Sequence, residues 1–163
     1  NSGGILGIAP EIGPGGAAGS TNTDGVCVNY LSFSRNPCYT IAAFALARTA
    51  VHEVGHNFGL FHTFQNGCAA TNDFGQLTSA GCQLPGTLLG GADDTPAQNG
   101  STSGCPVGAA AAGCGQSPNP PGKMYQSYMD YTDDACMYMF TKGQALRVQA
   151  TYAIGGPREQ LVQ

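Results

Sequence analysis

The chain has 163 residues, a length that suits one domain, with six basic and ten acidic residues and a formal net charge of -4. Charged residues make up only 10% of it and form no basic patch, which argues against a nucleic-acid partner; no apolar run is long enough to span a membrane. The 42% hydrophobic content excludes charge-driven disorder, while 25 Gly and 10 Pro point to short elements joined by many turns.

The chain opens Asn1-Ser2-Gly3-Gly4, with neither Met nor a charged leader ahead of an apolar stretch, and reads as a processed product or a fragment. The Gly-rich residues 1–25 hold one apolar run, Ile5-Leu6-Gly7-Ile8, which suits an edge strand or a loop equally well. Residues 25–33 alternate Val26, Val28 and Tyr30 with Cys27, Asn29 and Leu31, a strand pattern that Asn36-Pro37 ends. Across residues 40–60, Ile41, Phe44, Ala45, Arg48, Val51, His52 and Gly55 recur at three- and four-residue steps. Together with Ala42, Ala43, Ala47 and Ala50 they predict a helix, and Gly59 is placed to end it.

Residues 63–122 have no sustained period and are too many for an ordinary loop, so disulfides, bound ions or both are expected to hold them. Order returns at Thr141-Lys142-Gly143-Gln144, a capping box with Thr141 as N-cap and Gln144 reaching back. Ala145, Leu146, Val148, Gln149, Tyr152 and Ile154 continue this second helix until Gly155-Gly156-Pro157 stops it. The seven cysteines contain no C-x-x-C. Their spread through a loop-rich chain predicts disulfides made in an oxidising compartment, with one thiol left over or paired outside the chain.

The stretch that carries chemistry is His52-Glu53-Val54-Gly55-His56-Asn57-Phe58-Gly59-Leu60-Phe61-His62. Residues four apart on a helix share a face, so His52 and His56 can reach one zinc ion together. Glu53, beside the first ligand, can reach water in the open coordination position without binding the metal itself. Gly59 can take a positive φ cheaply and turn the chain so that His62 returns as third ligand. All three histidines of the chain lie in this one string.

H-E-x-x-H-x-x-G-x-x-H resembles the metzincin clan of zinc endopeptidases. Ser127-Tyr128-Met129-Asp130-Tyr131 matches the clan's Met-turn, with Met129 as the apolar floor beneath the imidazoles. Several flanks resemble the pappalysin family in particular: Arg48-Thr49-Ala50-Val51, His62-Thr63-Phe64-Gln65, Asp94-Thr95-Pro96-Ala97 and Gly104-Cys105-Pro106. So does Met129-Asp130-Tyr131-Thr132-Asp133-Asp134-Ala135-Cys136. The similarity runs from about Ile5 to about Val148, with an insertion between Cys68 and Asp93.

The resemblance implies an α+β, metzincin-like zincin fold occupying residues 1–163 as a single catalytic domain. An upper part would carry a mixed sheet and the active-site helix. A lower part would be irregular, disulfide-stapled and closed by a C-terminal helix, with the cleft between the two. Few residues precede His52, so the first strands and backing helix of the upper part are expected to be missing.

The implied activity is that of a secreted, extracellular zinc endopeptidase acting on proteins or peptides. Glu53 serves as general base and then acid, and Tyr131 hydrogen-bonds the developing oxyanion or binds zinc when no substrate is present. The resemblance also implies disulfides Cys105–Cys136 and Cys68–Cys114, with Cys82 competing for the latter. Cys27 and Cys38 flank a hairpin-like segment and are candidates to pair with each other. Calcium is expected near Asp94 and Thr95, with Asp73 and Asp93 as further oxygen donors. Asp134, after the Met-turn, is expected to line the primed-side pocket and to favour Arg or Lys after the cut. Two alternatives stand beside this reading: an inactive zinc-binding relative serving as a binding module, and a metal-free structural domain.

Overall fold

In the computed structural model of the chain, residues 4–9, 24–34, 36, 38, 40–65, 67, 95, 98–108 and 122–161 are described. Strands β1 (Gly7–Ile8) and β2 (Cys27–Val28) pair antiparallel, Gly7 opposite Val28 and Ile8 opposite Cys27. Asn29 N–H extends the pairing by donating to Leu6 O at 2.7 Å. The alternation over residues 25–33 predicts a longer β2. Asn29 ends it: its Oδ1 accepts Leu31 N–H at 3.0 Å, and the chain enters a 3-10 turn at Tyr30–Ser32.

The chain then doubles back, with Ile41 N–H donating to Leu31 O at 3.0 Å. Cys38 lies inside the loop so closed, while Cys27 lies outside it, paired with Ile8 in the sheet. Both are exposed free thiols. The pairing expected between them is not made.

Helical spacing over residues 40–60 is realised in part. Ala42–Phe44 forms a 3-10 turn, Ala47 takes the left-handed conformation (φ 61), and helix α1 spans Arg48–Asn57. Ala47 offers no side chain to cap the helix. The Asp134 carboxylate does so instead, its Oδ2 accepting Leu46 N–H at 2.8 Å and Arg48 N–H at 3.1 Å. Unpaired N–H groups and the positive end of the helix dipole both favour a carboxylate there. At the other end Gly59 (φ 84) turns the chain, and Leu60 N–H closes onto Gly55 O at 2.9 Å.

Helix α2 spans Lys142–Tyr152 and begins with the expected capping box. Thr141 Oγ1 accepts Gln144 N–H at 3.0 Å, and Gln144 Oε1 accepts Thr141 N–H at 2.9 Å. α2 grips the end of α1. Arg147 Nε–H donates to Gly59 O, its guanidinium lies 4.7 Å over the Phe61 ring, and Thr151 Oγ1 donates to Phe58 O at 2.9 Å. Among the described residues the buried apolar side chains are Leu60, Met129 and Met137, so most of the interior is polar and must be hydrogen-bonded.

One such polar tie joins residues far apart in the chain. Arg158 donates to both oxygens of Asp24, at 2.6 and 2.7 Å, and Asn57 Nδ2 adds a third bond to Asp24 at 3.2 Å. The bonds from Arg158 hold the Asp24 carboxyl below its ordinary range, outweighing the opposite effect of burial. A carboxyl depressed in the folded state stabilises above its unfolded pKa, about 3.9, and that stability is lost as pH falls through the folded value. Asp24→Asn is expected to lower unfolding stability at pH 7 by about 2 kcal/mol, less than for a fully buried pair because Asp24 keeps some exposure. The difference should shrink towards acid pH. Urea midpoints equal to the parent's at pH 7 would contradict this.

Candidate metal centre and cleft

His52 and His56 stand one turn apart on α1, and the Gly59 turn brings His62 back to them. The three Nε2 atoms form a tight triangle: His52–His56 3.0 Å, His56–His62 3.0 Å and His52–His62 3.2 Å. Each Nδ1 faces an oxygen acceptor. His52 donates to Tyr128 O at 2.6 Å, His56 to Leu60 O at 2.8 Å and His62 to Gln65 Oε1 at 3.1 Å. With its proton on Nδ1, each ring presents a lone pair at Nε2.

Three lone pairs at this range repel one another unless a cation sits between them. Tetrahedral ligands about 2.0–2.1 Å from one zinc stand about 3.3–3.4 Å apart, close to the observed triangle. Burial, then the neighbouring His56, lowers His52 to about 3 and His62 to about 4. Near neutral pH both rings are therefore uncharged and available to a metal. Imidazole donors, with a fourth position left open, suit zinc chemistry.

Met129 is fully buried and packs against α1 at Gly55. A Cβ on Gly55 would stand 2.6 Å from Met129 Sδ, so the absence of a side chain at residue 55 makes room for the Met-turn. Gly7 does the same above Glu53, where an added Cβ would meet Glu53 Cγ at 2.5 Å and Oε1 at 2.6 Å. Glu53 is buried against β1, and that burial raises its carboxyl to about 7. Tyr131 is half exposed at the rim, its ring 4.9 Å from His62 and 5.6 Å from His52. Phe64 stacks on His62 at 4.8 Å and meets Tyr131 edge-on at 4.9 Å.

A cleft of about 610 Å³ opens at the triad, and Gly7, Ile8, Glu53, Ser101, Thr102 and Ser103 are among the residues that line it. Asp134 does not line it. That residue is 2% exposed, and its carboxylate is committed to the backbone of Leu46 and Arg48. The expected pocket role of Asp134 is thus corrected to that of a remote cap on α1. Burial raises its carboxyl, the backbone donors partly opposing the shift.

Cys105 and Cys136 form a disulfide. Thr95 is buried, while Asp94, Asp73, Asp93, Cys68, Cys82 and Cys114 lie outside the described residues. Neither Gly7 nor Gly55 stands out as a functional position in the sequence. A Gly inside a helix costs about 1 kcal/mol relative to Ala, so Gly55 itself was the available signal of a close neighbour. No comparable signal marked Gly7.

A family model described as pregnancy-associated plasma protein-A, Peptidase M43, matches residues 16–153. The chain belongs to this pappalysin family of metzincin peptidases. An extracellular metalloprotease of Pyricularia oryzae is 42% identical over 118 residues, covering 72% of this chain and 34% of that protein. Another, from Verticillium alfalfae, is 37% identical over 147 residues, covering 89% of this chain and 43% of that protein. Mature mirolysin of Tannerella forsythia, solved with a cleaved peptide, superposes with a TM-score of 0.71 at 34% identity, covering 96% of this chain and 51% of that one. The chain thus spans about half or less of the relatives it matches. Its fold is the α+β zincin fold of the metzincins, and a metalloprotease of this family implies zinc.

Proposed function

We propose that the chain is the catalytic domain, residues 1–163, of a secreted zinc endopeptidase that hydrolyses peptide bonds in proteins or peptides. The observation that carries this reading is the convergence of three Nε2 lone pairs beside a buried carboxyl in an open cleft. The extracellular relatives support secretion. Bound by His52, His56 and His62, zinc would supply a Lewis acid for water and for the scissile carbonyl.

The chain does the rest. Glu53 takes the proton of the attacking water and returns it to the leaving amine. Tyr131, at the rim beside His52 and His62, turns its phenol to the oxyanion. β1 runs along the cleft and offers backbone groups to an extended peptide. Met129, packed against Gly55 of α1, would serve as the apolar floor of the triad on the strength of the resemblance. A calcium ion near Asp94 and Thr95 belongs to the same reading on the strength of the resemblance. A preference for Arg or Lys after the cut does not, because Asp134 is turned away from the cleft.

Purified zinc-loaded protein is expected to cleave casein or a peptide mixture, to stop when zinc is chelated and to recover when zinc is returned. Cleavage indifferent to the chelator would contradict the proposal. Zinc bound without any cleavage would favour the binding-module alternative.

A further inference from the structure

We propose that Asp130 is a positioning residue that sets the cleft wall formed by residues 101–103, an inference that rests on the peptidase reading above. Ser101, Thr102 and Ser103 all line the cleft, yet the segment 98–108 has no helix or strand. Only two of its side chains are buried, Gln98 and Thr102, and both are bonded to Asp130.

Asp130 is fully buried and accepts four bonds. Its Oδ1 takes Thr102 N–H and Tyr131 N–H, each at 2.8 Å. Its Oδ2 takes Thr102 Oγ1–H at 2.8 Å and Gln98 Nε2–H at 3.0 Å. Gln98 also donates to Gly100 O at 3.2 Å, and its Oε1 accepts Met124 N–H at 3.1 Å, so its amide orientation is fixed. Further along, the Cys105–Cys136 disulfide and the bond from Asp133 N–H to Gly104 O at 3.1 Å staple the segment a second time. Between Gln98 and this staple no apolar side chain is buried, so the carboxylate next to Met129 aligns the wall with the triad.

Asp130→Asn separates this role from general support. The amide oxygen still serves the two backbone donors, but the new NH₂ meets Gln98 Nε2, donor against donor. A loosened wall weakens substrate binding more than the chemical step. Kinetics of the zinc-loaded proteins on one peptide should show KM up about tenfold for Asp130→Asn, with kcat within about threefold of the parent and zinc content unchanged. Thr102→Val should raise KM about threefold. The swap Asp130→Asn with Gln98→Glu places an acceptor opposite the new donor but gives up the bond to Gly100 O, so it should recover only part of the lost KM.

An active parent whose KM is unmoved by both single variants would overturn the inference. So would kcat and zinc content falling together at constant KM, the mark of general weakening. If Asp130→Asn does not fold, Thr102→Val decides alone, an unchanged KM counting against the inference. An inactive parent instead sinks the peptidase reading, and the inference with it.

Discussion

Glu53→Gln is expected to retain one zinc per chain while losing turnover by about 10³-fold. The substitution preserves shape and removes only the ability to take and return a proton. Glu53 is buried beside Gly7, with no room for a bulkier replacement, and Gln fits the same space. The triad is untouched, because all three Nδ1 groups are oriented by other residues: Tyr128, Leu60 and Gln65. Metal content and kcat/KM measured on the same preparation separate the two effects. Parent-level turnover in Glu53→Gln would remove this residue from the proposed chemistry, and loss of zinc would make its role structural.

His62→Ala should weaken zinc binding by about 10²–10³-fold while leaving α1 folded. His62 is the one imidazole of the triad that lies beyond the helix, delivered by the Gly59 turn and held by Gln65 and the stacked Phe64 ring. Its removal leaves two nitrogens, and two neutral donors are a poor site for zinc beside the three-ligand arrangement. The turn itself should survive, since Arg147 and Thr151 of α2 hold the carbonyls of Gly59 and Phe58 independently of the ring. Competition against a zinc indicator, with circular dichroism on the same sample, reports both. Unchanged affinity would mean that His62 does not share the ion.

What could be read from the sequence was what local chemistry determines. The zinc string combines a helical period with a Gly that must bend the chain, and both appear in the structure at His52, His56 and Gly59. The capping box of α2 is equally local, Thr141 and Gln144 serving each other. The failures have distant causes. The helix begins at Arg48 because Asp134, far along the chain, takes the N–H groups on either side of Ala47. Read as sequence, the same Asp134 is an acid beside a Met-turn; only its burial reveals that it faces backbone. β2 is shorter than its alternation predicts for a nearer reason: Asn29 turns its side chain onto Leu31 N–H, and alternation alone does not register that competition. Gly7 matters only because Glu53 lies against it, a contact no spacing announces.

X-ray absorption at the zinc edge of the loaded protein reports directly whether His52, His56 and His62 share one ion. One zinc per chain is expected, with three imidazole nitrogens at about 2.0–2.1 Å and a lighter fourth neighbour. Sulfur in the first coordination sphere, for which the free thiols Cys27 and Cys38 are the ready source, would contradict it, as would failure to retain zinc at one per chain.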